Sequence, residues 1–169
     1  YKQVKELLEF KSPELQELID TFNKYVPNDR FKVIVMLHLF YPLRSDYHSV
    51  KIKNYDIKKD NYYLKGCIHF NSMIKCNRKM TIELNEEHQV LIENYLKQNH
   101  HDYLFGKITS DAYRRRVSNA SNVLFKKRLT INSYRHLKSF PKELKEIYHL
   151  LNNYAMKLNH TLNTHVVKY

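Results

Sequence analysis

The sequence predicts a mainly helical α+β domain, and three observations predict it. Glycine is 2 and proline 4 in 169 residues, too few for the tight turns of a small all-β fold. Apolar residues recur at helical spacing in both the N-terminal and C-terminal parts of the chain. Between them, Val50 to Leu84 breaks into short β-prone runs divided by polar turns. Hydrophobic residues at 43% and aromatics at 13% exclude intrinsic disorder, and the length suits one domain with a sizeable core.

The elements follow in order. Ser12-Pro13 supplies a cap and a first-turn proline; Leu15, Leu18, Ile19, Phe22 and Val26 mark one helical face, and Pro27-Asn28 ends it. A second helix begins near Asp29 and stops before Pro42. It is apolar nearly all round, which places it in the core. The β-prone runs 50–53, 62–64, 67–70 and 79–84, separated by turn-rich 58–61 and 71–78, predict a small antiparallel sheet with a hairpin. Helices return over 86–98, with His88, Leu91, Ile92 and Tyr95 on one face, and over 109–126. A last stripe, Leu144, Ile147, Tyr148, Leu151, Ala155 and Leu158, follows Pro141. No apolar run approaches the roughly 20 residues that span a bilayer. The chain opens at Tyr1 without methionine and reads as a piece of a longer protein.

The formal charge of +12 is segregated along the chain. Residues 1–29 carry −2 and residues 80–106 carry −4, whereas 51–79 carry +6 and 107–145 carry +9. Two blocks therefore hold more than the whole net charge, the pattern of an electrostatic footprint for phosphates. Glycine scarcity excludes a P-loop or a dinucleotide fingerprint. No carboxylate pair suggests a two-metal nuclease. His100-His101-Asp102 reads as an exposed loop, because adjacent side chains diverge. Two cysteines, Cys67 and Cys76, make neither a disulfide framework nor a zinc site, and their reading is a reducing compartment inside the cell. Neither metal nor cofactor is expected.

Taken singly, the remaining polar residues have dull readings. Arg44 could cap helix carbonyls, Lys75 suits an exposed turn, and His160 suits a structural role. As an ordered set they resemble a known family. Leu39-Phe40-Tyr41-Pro42-Leu43-Arg44 resembles the first box of tyrosine recombinases of the integrase kind, an apolar helix delivering an arginine. Lys75, in Ile74-Lys75-Cys76-Asn77-Arg78-Lys79, matches the family's hairpin lysine and is preferred to Arg78 and Lys79 for its place at the turn. Ser133-Tyr134-Arg135-His136-Leu137 resembles the second box. Leu158-Asn159-His160 stands where the family has Leu-Gly-His, and Tyr169 falls at the nucleophile's spacing. The flavour of Arg44-Ser45-Asp46-Tyr47 and the Lys/Asn-rich composition are similar to recombinases of eukaryotic large DNA viruses, virophages and Polinton-like elements.

The resemblance implies a tyrosine recombinase catalytic domain over 29–169, preceded over 1–28 by linker and first helix, with the N-terminal DNA-clamping domain not present in the chain. It implies that Tyr169 attacks a DNA phosphodiester to give a 3′-phosphotyrosine. Arg44, Arg135 and His160 would stabilise the non-bridging oxygens, and Lys75 would protonate the leaving 5′-oxygen. Where the family has His or Lys three residues before the second arginine, this chain has Asn132, which donates a hydrogen bond but exchanges no proton. His136 is the candidate to compensate. Asn159 replaces the usual glycine. Lys51, Lys53, Arg78, Lys79, Arg114, Arg115, Lys126, Lys127 and Lys138 are the expected DNA-binding cations. The implied partner is double-stranded DNA, bound by a homotetramer in a synaptic complex and by a monomer as an isolated fragment, with no membrane. Two other readings stay open: a type IB topoisomerase, which shares fold and nucleophile, and a catalytically inactive DNA-binding module, which Asn132 suggests.

Overall fold

The computed structural model describes residues 13–76, 78–137, 147, 149–151 and 153–154. The chain divides into two compact units, Glu17–His136 and Tyr1–Gln16 with Leu137–Tyr169. In the second of these, residues 147, 149–151 and 153–154 are helical, with Ile147 40% exposed and Leu151 half-buried. Leu144, Tyr148, Ala155 and Leu158 of the expected stripe lie outside the described residues.

The Glu17–His136 unit is α+β. Helix α1 (Pro13–Lys24) enters it and buries Leu18, Ile19 and Phe22, the Phe22 ring meeting Phe40 edge-on at 5.4 Å. Asp29 then starts helix α2 (Arg30–Phe40): its Oδ1 accepts the Lys32 N–H at 3.0 Å and its Oδ2 the Tyr25 hydroxyl at 3.0 Å. Every residue of α2 from Val33 to Leu39 is buried, as the all-round apolar pattern requires. Each of its large aliphatic side chains contributes about 1.5–3 kcal/mol of burial. A short 3-10 helix (Ser45–Ser49) follows the Pro42 break.

Four strands come next: β1 (Val50–Lys51), β2 (Asn61–Leu64), β3 (Cys67–Phe70) and β4 (Met80–Glu83), ordered β1-β2-β3-β4. The sheet departs from the expected antiparallel one, because β1 pairs β2 in parallel while β2, β3 and β4 form an antiparallel meander. The loop 52–60 is the reason. The Ile52 N–H donates to the Asp102 carbonyl at 2.7 Å, and Asp60 accepts the Asp56 N–H at 2.8 Å and the Lys51 ammonium at 3.0 Å. Those bonds fold the loop back so that Asn61 starts beside Val50, running the same way. Strand period 2 sends Asn61, Tyr63, Ile68 and Phe70 into the core and leaves Tyr62, Leu64 and His69 less buried on the other face.

Turns are made with almost no glycine. The β2–β3 hairpin uses Lys65 (φ 47) and Gly66 (φ 80), the two positive φ angles of a two-residue turn. Asn54, Lys75 and Lys126 also adopt left-handed backbone. Helix α3 (Glu86–Leu96) is capped by Asn85, and helix α4 (Ser110–Phe125) by Thr109, whose hydroxyl accepts the Ala112 N–H at 3.1 Å. Helix α5 (Ile131–Leu137) begins where the Thr130 hydroxyl accepts the Ser133 N–H at 3.2 Å. Helix α2 packs against both α3 and α4. No helix among the described residues is long and apolar enough to cross a membrane.

Candidate active site

Four elements deliver cationic side chains to one cleft of about 470 Å³, lined by Arg44, Lys75, Arg114, Asn132 and Arg135 together with Ser45, Ile74, Ser118, Thr130 and Ile131. Arg44 stands just before the 3-10 helix, Lys75 on the β3–β4 connection, Arg114 on α4, and Asn132 and Arg135 three apart on α5, hence on one face. A smaller cavity of about 220 Å³ shares Arg44, Lys75 and Arg135 and adds Asp46. On the other flank, a cavity of about 310 Å³ shares Arg114 and Ser118 and adds Arg115, Asn119 and Arg128. The cations thus run from Arg128 through the central cleft to Lys75. The side chains of Arg44, Lys75 and Arg135 make no ion pair or hydrogen bond with another described residue, so their donors face the cleft unspent.

Buried polar groups fix the Lys75 turn. Asp46, 2% exposed, accepts the Ile74 N–H at 2.6 Å and so ties the turn to the segment that follows Arg44. Asn61, 4% exposed, accepts the Asn71 and Ser72 N–H groups at 2.8 and 3.0 Å and donates to the Ser49 hydroxyl and the Ser72 carbonyl. Cys76 N–H donates to the Met73 carbonyl at 3.3 Å, closing a tight turn with Lys75 at φ 61. Arg78 and Lys79 lie beyond that turn, exposed and away from the cleft lining.

An aromatic cluster joins three of the elements that line the cleft, the 3-10 helix, α4 and α5, to α2. His38 of α2 packs against Tyr47 of the 3-10 helix, Tyr113 of α4 and Tyr134 of α5, with ring centroids 5.4, 5.7 and 5.8 Å away. His38 Nε2 shares a 2.9 Å hydrogen bond with the Tyr113 hydroxyl, while its buried Nδ1 has no partner. Burial holds His38 neutral, its pKa lowered to about 3. The Tyr134 hydroxyl bonds Ser121 Oγ at 2.6 Å, which also donates to the Val117 carbonyl at 2.8 Å. Burial raises the pKa of Tyr47, Tyr113 and Tyr134 alike, so these phenols, next to the site in sequence, stay protonated and inaccessible as nucleophiles.

The other expected residues are placed as follows. His136 is exposed on α5 and is not among the residues that line the cleft. Lys53, Arg115, Lys126 and Lys127 are exposed. Lys51 differs from a free DNA-binding cation: its ammonium pairs with Asp60 at 3.0 Å and lies 5.5 Å from the centre of the Tyr103 ring. His160, Tyr169 and Lys138 lie outside the described residues. No group of three or more His, Cys, Asp or Glu side chains among the described residues could hold a metal ion. Asp46, Asn61, Ser118 and Arg128 were not singled out from sequence as site residues. The one signal for Asp46 was its place two residues after Arg44.

A cleft lined by three unpaired cations, with Arg114 alongside and no carboxylate in the central lining, presents donors of the kind that suit an anionic group such as a phosphate. No protein-family model, curated protein or solved structure matches the chain.

Proposed function

We propose that the chain is a tyrosine recombinase-like catalytic domain that cuts and rejoins duplex DNA through a 3′-phosphotyrosine. One observation carries this reading: residues far apart in sequence, Arg44, Lys75 and Arg135, line a single cleft free of carboxylates in its central part. The order of those residues matches the family's boxes, and the flanking cations Arg114, Arg115 and Arg128 continue the positive strip for a DNA backbone.

In the proposed chemistry, Arg44 and Arg135 present guanidinium forks to the non-bridging oxygens of the scissile phosphate and offset the charge that builds there. Tyr169 supplies the phenolate oxygen that bonds to phosphorus, and the bond to the 5′-oxygen breaks. Lys75 gives that oxygen its proton, and reversal with a second 5′-hydroxyl rejoins the strand. Asn132 lines the cleft and donates a hydrogen bond without exchanging a proton. That observation supports the second reading, a DNA-binding module without cleavage.

Incubation with nicked duplex substrates in EDTA separates the readings. The recombinase reading expects a covalent protein–DNA adduct that Tyr169→Phe abolishes and that Arg44→Ala or Arg135→Ala reduces at least about a hundredfold. Salt-sensitive binding with no adduct from any site sequence would leave the inactive module. Efficient plasmid relaxation without sequence preference would favour the topoisomerase.

A further inference from the structure

A second cleft, about 640 Å³, opens where the start of α2, the end of α3 and the loop 97–109 meet. It shares no lining residue with the three basic cavities described above. Three cations reach it from three segments: Arg30 at the first position of α2, Lys107 on the loop, and Arg116 on α4. None of the three has an ion-pair partner among the described residues. Asp29 is the one acid in the lining, and both its oxygens are already engaged, by the Lys32 N–H and the Tyr25 hydroxyl.

The frame of this cleft is fixed. Asn99, 7% exposed, donates to the Leu104 carbonyl at 2.9 Å and accepts the His101 N–H at 2.9 Å, which shapes the loop. Gly106 turns the chain at φ 78, and Arg116 Nη1 donates to the neighbouring Phe105 carbonyl at 2.6 Å. That contact uses one of five guanidinium donors and holds the rest in place. Phe105 is wedged against Tyr113 and Tyr95, with centroids 5.5 and 6.3 Å away, so the wall is aromatic and rigid. Burial first, and then the charge of Arg30, lowers the Arg116 pKa, while burial raises that of Tyr95 against the opposing charges of both arginines. Two like charges are thus held together at an aromatic wall, an arrangement that a bound anion relieves.

We propose that this cleft binds a phosphate monoester carried on a flat ring, with Arg30, Lys107 and Arg116 on the phosphoryl group and Tyr95, Phe105 and Phe31 beside the ring. The charge matches: three cations against Asp29 leave two positive charges, and a phosphate monoester carries about −1.5 to −2 at neutral pH. A carboxylate would neutralise half of that. The volume lies within the usual range for small-ligand sites, about 300–1,000 Å³. The ester can come from a free mononucleotide or from a 5′-phosphorylated DNA end, which share this chemistry.

Calorimetric titration of the chain with AMP, inorganic phosphate and adenosine at low salt tests the site. AMP is expected to bind more tightly than phosphate, and adenosine not to bind. Arg30→Gln and Lys107→Gln, both at exposed side chains, should each weaken AMP about tenfold or more. Arg44→Ala and Arg135→Ala, in the other cleft, should remove at most a second, weaker phosphate site and leave the tighter AMP binding in place. Competition then assigns the source: displacement of AMP by a 5′-phosphorylated duplex but not its 5′-hydroxyl twin points to a DNA end, and displacement by neither points to the free nucleotide. The site is overturned if AMP fails to bind, if Arg30→Gln binds it as the wild type does, or if both duplexes displace it equally. Because Arg30 and Lys107 lie outside the candidate active site, these results are independent of whether cleavage is found.

Discussion

Acidification should weaken this fold through His38, by an amount that follows from its surroundings. The ring is fully buried among Tyr47, Tyr113 and Tyr134, with no carboxylate in contact and Nδ1 unpartnered. Its pKa is lowered to about 3 in the folded state, against about 6.5 when the chain is unfolded. Between those values the unfolded chain takes up a proton that the folded chain refuses. Stability is therefore full above about pH 6.5, falls as the pH drops toward 3, and stops falling on this account below that. At pH 4.5 the loss is two pH units of this linkage, about 3 kcal/mol, out of the roughly 5–15 kcal/mol a domain possesses. Half-buried His88, whose pKa is also lowered by burial, adds to the loss with the same sign. Urea midpoints measured at pH 7.5 and pH 4.5 for the wild type and His38→Gln give the contribution of His38 by difference. The variant should start less stable at pH 7.5 yet lose about 3 kcal/mol less on acidification. Parallel loss in both proteins, or a His38 ring that titrates near pH 6.5 by NMR, would refute the reasoning.

Two further outcomes bear on the cleft. Asp46→Ala leaves the Ile74 N–H without its partner and frees the Lys75 turn, so it should cost about 1–3 kcal/mol in urea unfolding. On the proposed function, DNA cleavage should slow while duplex affinity stays within a few-fold; unchanged cleavage would mean that the turn needs no such tie. Arg128→Ala, at the far end of the cationic run, should lower the slope of log affinity against log salt by about 0.9, read by fluorescence anisotropy. An unchanged slope would mean that Arg128 meets no phosphate and would remove the far end of the strip from the proposed DNA path.

The parts of the fold legible in the sequence are those set by local chemistry. Helix α2 could be read because Asp29 caps it, Pro42 ends it and its seven buried residues are apolar except His38. The strands could be read because alternation and turn residues bracket them. The direction of β1 could not. It depends on a carbonyl at Asp102, 50 residues beyond Ile52, and on the Lys51–Asp60 contact, neither of which leaves a local pattern. The site divides the same way. The order of Arg44, Lys75 and Arg135 along the chain is visible in the sequence, whereas the cleft they share depends on long-range ties such as the Ile74 N–H to Asp46 bond. Asp46 and Asn61, which hold the turn, look in sequence like any polar residue near a bend. Their significance lies in being buried, and burial of a lone Asp or Asn is a tertiary fact. His38 was visible as an anomaly in an apolar helix but not as the centre of a tyrosine cluster.

Scarcity of glycine leaves this protein with an unused reserve of stability. Asn54, Lys65, Lys75 and Lys126 hold left-handed backbone that costs a residue with a Cβ about 1 kcal/mol each. At Lys65 and Lys126 glycine would recover part of that cost and remove nothing the cleft uses. At Lys75 the same exchange would relax the backbone and delete a cation of the cleft, so an engineer seeking a hardier protein would be drawn toward one that, on the proposed function, is inert. On that reading thermal stability and function would part company at that single residue, and a stability screen run without an activity readout would select the loss.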